Sequence, residues 1–221
     1  MESTTDIFGI KENNMNIITV PNLFFYQFEC NDNLTDKILN NVKNLSWIHN
    51  NSNLGTYSDN FFDEELISWF EQCIDQAKTK IGLGEDIKLP ITICWPNKTT
   101  KLQAHHYHKH PNSFLSGIFY LTSHSDSPTV FTFPNAWITE FSGVNFENTI
   151  KNNYFKIYPK KSTLILFPSN VHHSVYGHKE RETRYTISFN TFFSGSIYKD
   201  PFTKQRLQLS VKTLRDLVNE T

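Results

Sequence analysis

The histidines of this chain are bunched. Six of the nine fall in two places, four between His105 and His110 and the pair His172 and His173. A neutral imidazole offers a lone pair and is the commonest protein ligand for a transition metal ion. Side chains alternate faces along a strand, so a strand through H-H-Y-H-K-H turns His106, His108 and His110 one way and His105 the other. Two imidazoles two residues apart on one face can hold one ion, and the distant pair is the obvious source of a third ligand. His108, His110 and His173 are therefore the expected metal set. His172 should point away from its neighbour, and His105 and His106 are expected at the surface or behind the ligands. Lys109 is expected to face solvent or substrate. His49, His124 and His178 fit ordinary surface or core positions.

A cation accompanies the second cluster. Arg184 follows His173 by eleven residues and opens the run R-Y-T-I-S-F-N, in which Arg184, Thr186 and Ser188 share a face. An arginine facing the inside of a β-barrel is costly without a counter-charge. Its planar fork matches a carboxylate in two-point fashion, and Thr186 can add a hydroxyl hydrogen bond. The partner is either a distant Asp or Glu or a dicarboxylate ligand. Near it in sequence only Glu180 and Glu182 are acidic.

These residues need a scaffold of short strands. From residue 88 onward, aromatic and β-branched runs recur between Pro, Gly, Ser and Asn: Leu89–Trp95, Lys101–His108, Gly117–Ser123, Thr129–Phe133, Tyr154–Tyr158, Ser162–Phe167, His173–Tyr176 and Arg184–Phe193. Eight such runs predict an all-β barrel or jelly roll. Upstream, Ile17 to Phe28 reads as strand with a break at Pro21. Leu34 to Leu45 has helical spacing, with Asp32 or Asn33 as cap. Asn60 to Ile81 is the clearest helix, capped by Asn60 and carrying Asp63 and Glu64 in its first turn, where the helix dipole favours acid. Residues 46–59 read as loop. These helices are expected to pack on one sheet from outside, leaving 1–87 as support, 88–193 as the β core and 194–221 as a tail, all in a single domain 1–221. In the tail, Leu207, Val211, Leu214 and Val218 suit an amphipathic helix, which can pack on the barrel or pair two copies into a homodimer. Asn135 to Asn153 carries no strong period and reads as a lid or a surface excursion. Ser113, Ser116 and Gly117 read as turn and packing residues, and Asn190 as a hydrogen bond across the barrel.

The bulk numbers exclude several classes. The 221 residues carry a formal net charge of −1 and 38% hydrophobic content, so no overall field draws the chain to nucleic acid or to an anionic membrane. The longest apolar runs, such as I-F-Y-L and L-I-L-F, are far too short to span a bilayer. No C-x-x-C occurs, and Cys30, Cys73 and Cys94 read as thiols of a reducing compartment. The start M-E-S-T-T-D-I-F-G-I-K lacks an apolar core for a signal peptide. A soluble cytoplasmic protein is expected.

Three ordered blocks carry a family resemblance: His108–Leu121, with H-x-H-P-x-S-x-x-S-G-x-x-Y-L; Phe167–Val175, with F-P-S-x-x-x-H-x-V; and Arg184–Asn190, with R-x-x-x-S-F-N. Over about residues 90–193 the chain resembles the Fe(II)- and 2-oxoglutarate-dependent oxygenases, within a prolyl-hydroxylase-like subfamily found largely in phage and bacterial genomes. The resemblance implies a mainly β fold, the double-stranded β-helix of jelly-roll or cupin-like type. It implies Fe(II) held by His108, His110 and His173, and 2-oxoglutarate and O2 as cosubstrates. It assigns the distal carboxylate of 2-oxoglutarate to Arg184, with Thr186 assisting and Tyr120 also in contact. Oxidative decarboxylation to succinate would then be coupled to hydroxylation of a substrate C–H bond, in a pocket that Phe119, Phe131 and Phe133 could line. The wider superfamily uses H-x-D or H-x-E in place of H-x-H. A third imidazole leaves the centre one charge unit more positive, and Asp126 is the nearest downstream carboxylate that could substitute.

Two other classes compete. Three imidazoles also suit zinc, with a bound water as nucleophile of a hydrolase, or a cupin-like binding module without turnover. Neither gives Arg184 a task. A purely structural protein would leave both histidine clusters and the interior arginine to chance. For the oxygenase, a protein side chain or a small molecule is favoured over nucleic acid as primary substrate, and no membrane partner is expected.

Overall fold

The computed structural model describes residues 15–20, 23–50, 56–57, 61–132, 154–177, 179, 182–199, 202–203 and 205–220. In chain order its elements are β1 (Met15–Val20), β2 (Leu23–Glu29), α1 (Asp32–Lys43), β3 (Ile48–His49), β4 (Thr56–Tyr57), α2 (Glu64–Ile81), β5 (Ile87–Lys88), β6 (Ile91–Thr99), β7 (His105–His108), β8 (Leu115–Tyr120), β9 (Thr129–Thr132), β10 (Tyr154–Ile157), β11 (Thr163–Pro168), β12 (His172–Val175), β13 (Arg184–Thr191), β14 (Ser194–Lys199), β15 (Arg206–Leu209) and α3 (Leu214–Asn219).

From β6 to β13 the chain passes repeatedly between two sheets. β6, β8, β11 and β13 belong to a large antiparallel sheet of order β1-β2-β11-β8-β13-β6-β4-β3, and β7, β9, β10 and β12 form a four-stranded sheet of order β10-β9-β12-β7. Strands that alternate between two sheets in this way make a double-stranded β-helix. A small third sheet, β15-β14-β5, lies beyond it.

Period-two alternation sorts the side chains of the large sheet between two cores. On β8, Leu115 and Phe119 join the helix-facing core, while Ile118 and Tyr120 point between the sheets. On β11 the same split separates Leu164 and Leu166 from Ile165 and Phe167. β13 turns Tyr185, Ile187 and Phe189 outward to the helices, and the residues between them inward. The outer layer comes from α1 and α2, whose Leu34, Ile38, Val42, Leu66, Ile67, Phe70 and Ile74 are buried in it. Covering both faces explains why every residue of β8 is buried. Gly117 sits where a Cβ would overlap the ring of Phe189, so the strand has no side chain there and the ring lies across it.

Local signals mark the helix ends. Asn31 caps α1 by accepting the Leu34 amide at 2.7 Å, and Asp63 caps α2 by accepting the Leu66 amide at 3.1 Å. Asp63 is thus the cap and not a first-turn residue, because its carboxylate reaches the third amide of the helix; Asn60 is outside the described residues. Gly82, at φ 84°, closes α2 in the left-handed region.

Two readings of the sequence change. The stretch 46–59, expected as loop, contributes β3 and β4, which pair with each other and dock on β6 through Thr56–Lys98 and Tyr57–Asn97. Those hydrogen bonds come from a partner strand some forty residues away, which local composition does not report. In the tail, residues 206–209 form a strand against β14, so the helix is confined to α3. The 135–153 stretch lies outside the described residues. Among the described residues, no helix is long and apolar enough to cross a membrane, and the three cysteines are free thiols.

Candidate metal centre

The three imidazoles His108, His110 and His173 converge, with ligand atoms all within 4.8 Å of one another. β12 brings His173 opposite His108 in the four-stranded sheet. His110 lies just past the end of β7, where its amide donates to the Ser169 carbonyl at 2.9 Å. The chain then turns through Asn112, whose φ of 57° is left-handed, a conformation asparagine tolerates.

Hydrogen bonds fix which ring nitrogen is free. His108 Nδ1 donates to the His106 carbonyl at 2.7 Å, and His173 Nδ1 donates to the Val171 carbonyl at 3.2 Å. Each therefore presents the Nε2 lone pair inward, the second contact that metal-binding histidines ordinarily carry. His110 Nε2 lies 3.2 Å from His173 Nε2. Two nitrogens each about 2.0–2.1 Å from one ion are about 2.8–3.4 Å apart at octahedral to tetrahedral angles. The donor set thus fits a single transition metal ion. Burial, before any neighbouring charge, lowers the pKa of all three, that of His110 to about 4, so the rings are neutral and lone-pair-bearing at pH 7.

Alternation fails beside the imidazoles. Between β7 and β12 the register pairs His173 with His108 and Val175 with His105, so one strand has an extra residue. This bulge turns His105 and His108 to the same side. His105 was expected at the surface or behind the ligands; it is 9% exposed and lines the cavity. His106 is exposed, as is Lys109. His172 turns away and stacks on Tyr107, with centroids 4.6 Å apart and planes within 4°.

The imidazoles open onto a cavity of about 350 Å³ between the sheets. Arg184 lies at one end of it, 2% exposed. Its Nη2 donates to Thr129 Oγ1 at 3.2 Å, and its guanidinium carbon lies 5.6 Å from the centroid of the Tyr120 ring. Tyr120 and Thr129 hydroxyls are 2.8 Å apart. Among the described residues no carboxylate pairs with Arg184 and its Nε has no hydrogen-bond partner. A buried, incompletely satisfied guanidinium that opens on a cavity has the chemistry to receive an anion. Thr186 lines the cavity on the same face. Tyr120 is fully buried behind Arg184, packed against it.

Other expected wall residues lie elsewhere. Phe119 packs outward on Phe70 and Trp69, because its parity on β8 is that of the helix-facing side. Phe131 fills the core between the sheets with Phe25 and Phe167 and touches the cavity only through His173. Phe133 is outside the described residues. Asp126 is not among the converging ligands, and its Oδ2 accepts the Lys179 amide at 2.7 Å. Ser188 lines the cavity on the face it was expected to share with Arg184 and Thr186, and Trp95 and Asn97 line it without having been singled out. The signal for these two was present: residues 93, 95, 97 and 99 share one face of a strand that runs on past Trp95. Nothing in sequence marks Thr129.

Residues 93–190 match the family model described as "Putative 2OG-Fe(II) oxygenase". No curated protein matches the sequence. Among solved structures, the chain is similar to a prolyl-4-hydroxylase of Pseudomonas putida, at 13% identity and TM-score 0.54, covering 75% of this chain and 91% of that one. It is similar to the viral collagen prolyl hydroxylase of Paramecium bursaria Chlorella virus-1, solved as a 2OG complex, at 15% identity and TM-score 0.55, covering 76% and 94%. HygX of Streptomyces hygroscopicus, solved with nickel and 2-oxoglutarate bound, gives 7% identity and TM-score 0.55, covering 76% and 82%. At such identities the likeness to these structures is one of fold.

Proposed function

We infer, from a chain whose residues 93–190 match the 2OG-Fe(II) oxygenase family model, that the cavity binds Fe(II) and 2-oxoglutarate and hydroxylates a C–H bond of a second substrate. His108, His110 and His173 would hold the ion through Nε2. With 2-oxoglutarate and O2 bound there, the ion supplies oxidation of a C–H bond at the expense of decarboxylating the 2-oxo acid to succinate. Arg184 takes the distal carboxylate. Thr129 and Tyr120 fix the guanidinium behind it, and Thr186 adds a hydroxyl from the same strand. The walls exclude bulk water, which strengthens the ion pair between Arg184 and the anion.

The observation that carries this reading is Arg184. It is a fully enclosed cation, without a carboxylate partner among the described residues, at the end of the cavity onto which three neutral imidazoles open. A hydrolase would leave it unused. The all-imidazole donor set, which has no carboxylate, keeps one second reading in view: a zinc protein without oxygenase turnover.

Anaerobic titration of the Fe(II)-loaded protein with 2-oxoglutarate separates the two. We expect a metal-to-ligand charge-transfer band in the visible. It should weaken at least tenfold in apparent affinity in Arg184→Ala, while Fe(II) binding persists, and Fe(II) binding should be lost in His173→Ala. Tight zinc binding with no band, or a band indifferent to Arg184→Ala, would overturn the assignment.

A further inference from the structure

The wall that rises from Arg184 is graded in chemistry, and the gradient indicates what a second molecule must be. The argument rests on the oxygenase reading above. β6 and β13 pair so that Arg184 faces Thr99, Thr186 faces Asn97, Ser188 faces Trp95 and Asn190 faces Ile93. Each step along the strands is two residues, about 6.6–6.8 Å. The Trp95 ring is 5.8 Å from that of His110, so the Ser188–Trp95 pair is level with the imidazoles. The Asn190–Ile93 pair lies beyond it, toward the mouth, where Ile93 is 42% exposed. A 2-oxo acid reaching from the imidazoles to Arg184 uses the lower part of this wall. The upper two pairs are left for the substrate.

Those two pairs are amphipathic. β6 presents an indole and an isoleucine; β13 presents a hydroxyl and an amide. Ser188 Oγ accepts from Asn97 Nδ2 at 3.0 Å, which leaves its own proton to donate. Asn190 Oδ1 accepts from Ser116 Oγ at 2.8 Å, and Ser116 is in turn 2.8 Å from Ser169 Oγ. The Asn190 amide is thereby oriented, and its Nδ2 makes no hydrogen bond among the described residues. Among the described residues that line the cavity there is no carboxylate, and Arg184 is the one permanent cation.

We propose that the group oxidised here is an uncharged sugar ring, with its C–H face against Trp95 and Ile93 and its hydroxyls hydrogen-bonded by Ser188 and Asn190. An ammonium-bearing substrate would be buried without a counter-charge, which is costly. An anionic one would compete with 2-oxoglutarate for Arg184. A prolyl ring matches the indole but carries no acceptor of its own, so Ser188 and Asn190 would be met only by the flanking peptide carbonyls and not by the ring that is oxidised. A flat nucleobase matches the indole too, but its ring carbons carry no aliphatic C–H and only a methyl substituent such as that of thymine offers one, whereas a sugar ring carries one at every carbon. The balance is complete: one oxygen atom of O2 enters the C–H bond to give C–OH, the other ends in succinate, and 2-oxoglutarate loses carbon dioxide.

The test is calorimetric titration of the full-length protein, loaded with Zn(II) and 2-oxoglutarate, with a panel. The panel holds methyl glycosides of glucose, galactose, mannose and N-acetylglucosamine, the amine glucosamine, 1-methylthymine, and an N-acetylated proline-containing peptide. We expect a neutral glycoside to bind, glucosamine to bind at least tenfold more weakly, and Trp95→Ala to lose at least tenfold in glycoside affinity while Trp95→Phe recovers most of it. The charge-transfer band of Fe(II)-loaded Trp95→Ala with 2-oxoglutarate shows that the variant is folded. Silence from every neutral glycoside, or binding of the peptide or 1-methylthymine in their place, overturns the proposal. Failure of the band in wild type overturns the oxygenase reading instead, and glycoside binding to the zinc-loaded protein still decides this one.

Discussion

Thr129 shows how much of the candidate site rests on one hydroxyl. It is fully buried and meets both Arg184 and Tyr120. Valine keeps its shape and removes its oxygen, which leaves buried donors unpaired at a cost of about 1–3 kcal/mol. We expect Thr129→Val to lower stability by about that much in urea unfolding of the metal-free protein, and to weaken 2-oxoglutarate binding as the guanidinium loses its anchor. Thr129→Ser keeps the oxygen and should recover most of both. Equal loss in valine and serine variants would mean that packing, not the hydrogen bond, matters here.

At the scale of elements, the site is as good as the contact between β8, β13 and α2. Phe189 lies across Gly117 and meets Phe70 with ring centroids 4.5 Å apart, while the neighbouring residues of the same two strands, Ser116, Ser188 and Asn190, face the cavity side. Adding a methyl group at 117 forces the ring out of its place, and overpacking of this kind costs about 1–3 kcal/mol. Gly117→Ala is expected to lower the unfolding midpoint accordingly, and Phe189→Leu in the same chain to restore part of it, since the two changes share one space. Additive losses would show that the clash is not the cause.

The whole molecule carries several histidines neutral, and this links its stability to pH. Burial, and secondarily Arg184, pushes the pKa of His105 down to about 3. In the unfolded chain it is about 6.5. Between these values the unfolded state takes up a proton that the folded state refuses. The stabilisation is therefore complete above pH 6.5 and is lost as pH falls toward 3, by up to about 1.4 kcal/mol per pH unit for each such group. His110 and His173, also lowered by burial, act in the same direction. We expect the urea midpoint of the metal-free protein to fall steadily from pH 7 to pH 5, and His105→Gln to make the dependence shallower. A midpoint that is flat or rises on acidification would sink this account.

What could be read in advance was whatever depends on local repetition. Period two along R-Y-T-I-S-F-N gave Arg184, Thr186 and Ser188 a common face, and the eight runs after residue 88 lie close to β6 through β13. The three histidines that converge were named from spacing, order and the accompanying Arg184, together with the family resemblance, because imidazoles at short intervals in a β-rich chain are rarely placed by packing needs. What the sequence left open depends on partners far along the chain. The bulge that turns His105 inward exists only in the pairing of β7 with β12. The strands in 46–59 exist only through docking on β6. The Thr129 contact joins residues fifty-five positions apart. A strand's alternation is a property of its own backbone, whereas register, bulges and the partner of a buried charge are fixed when separate strands are brought together, and that is what the tertiary structure decided.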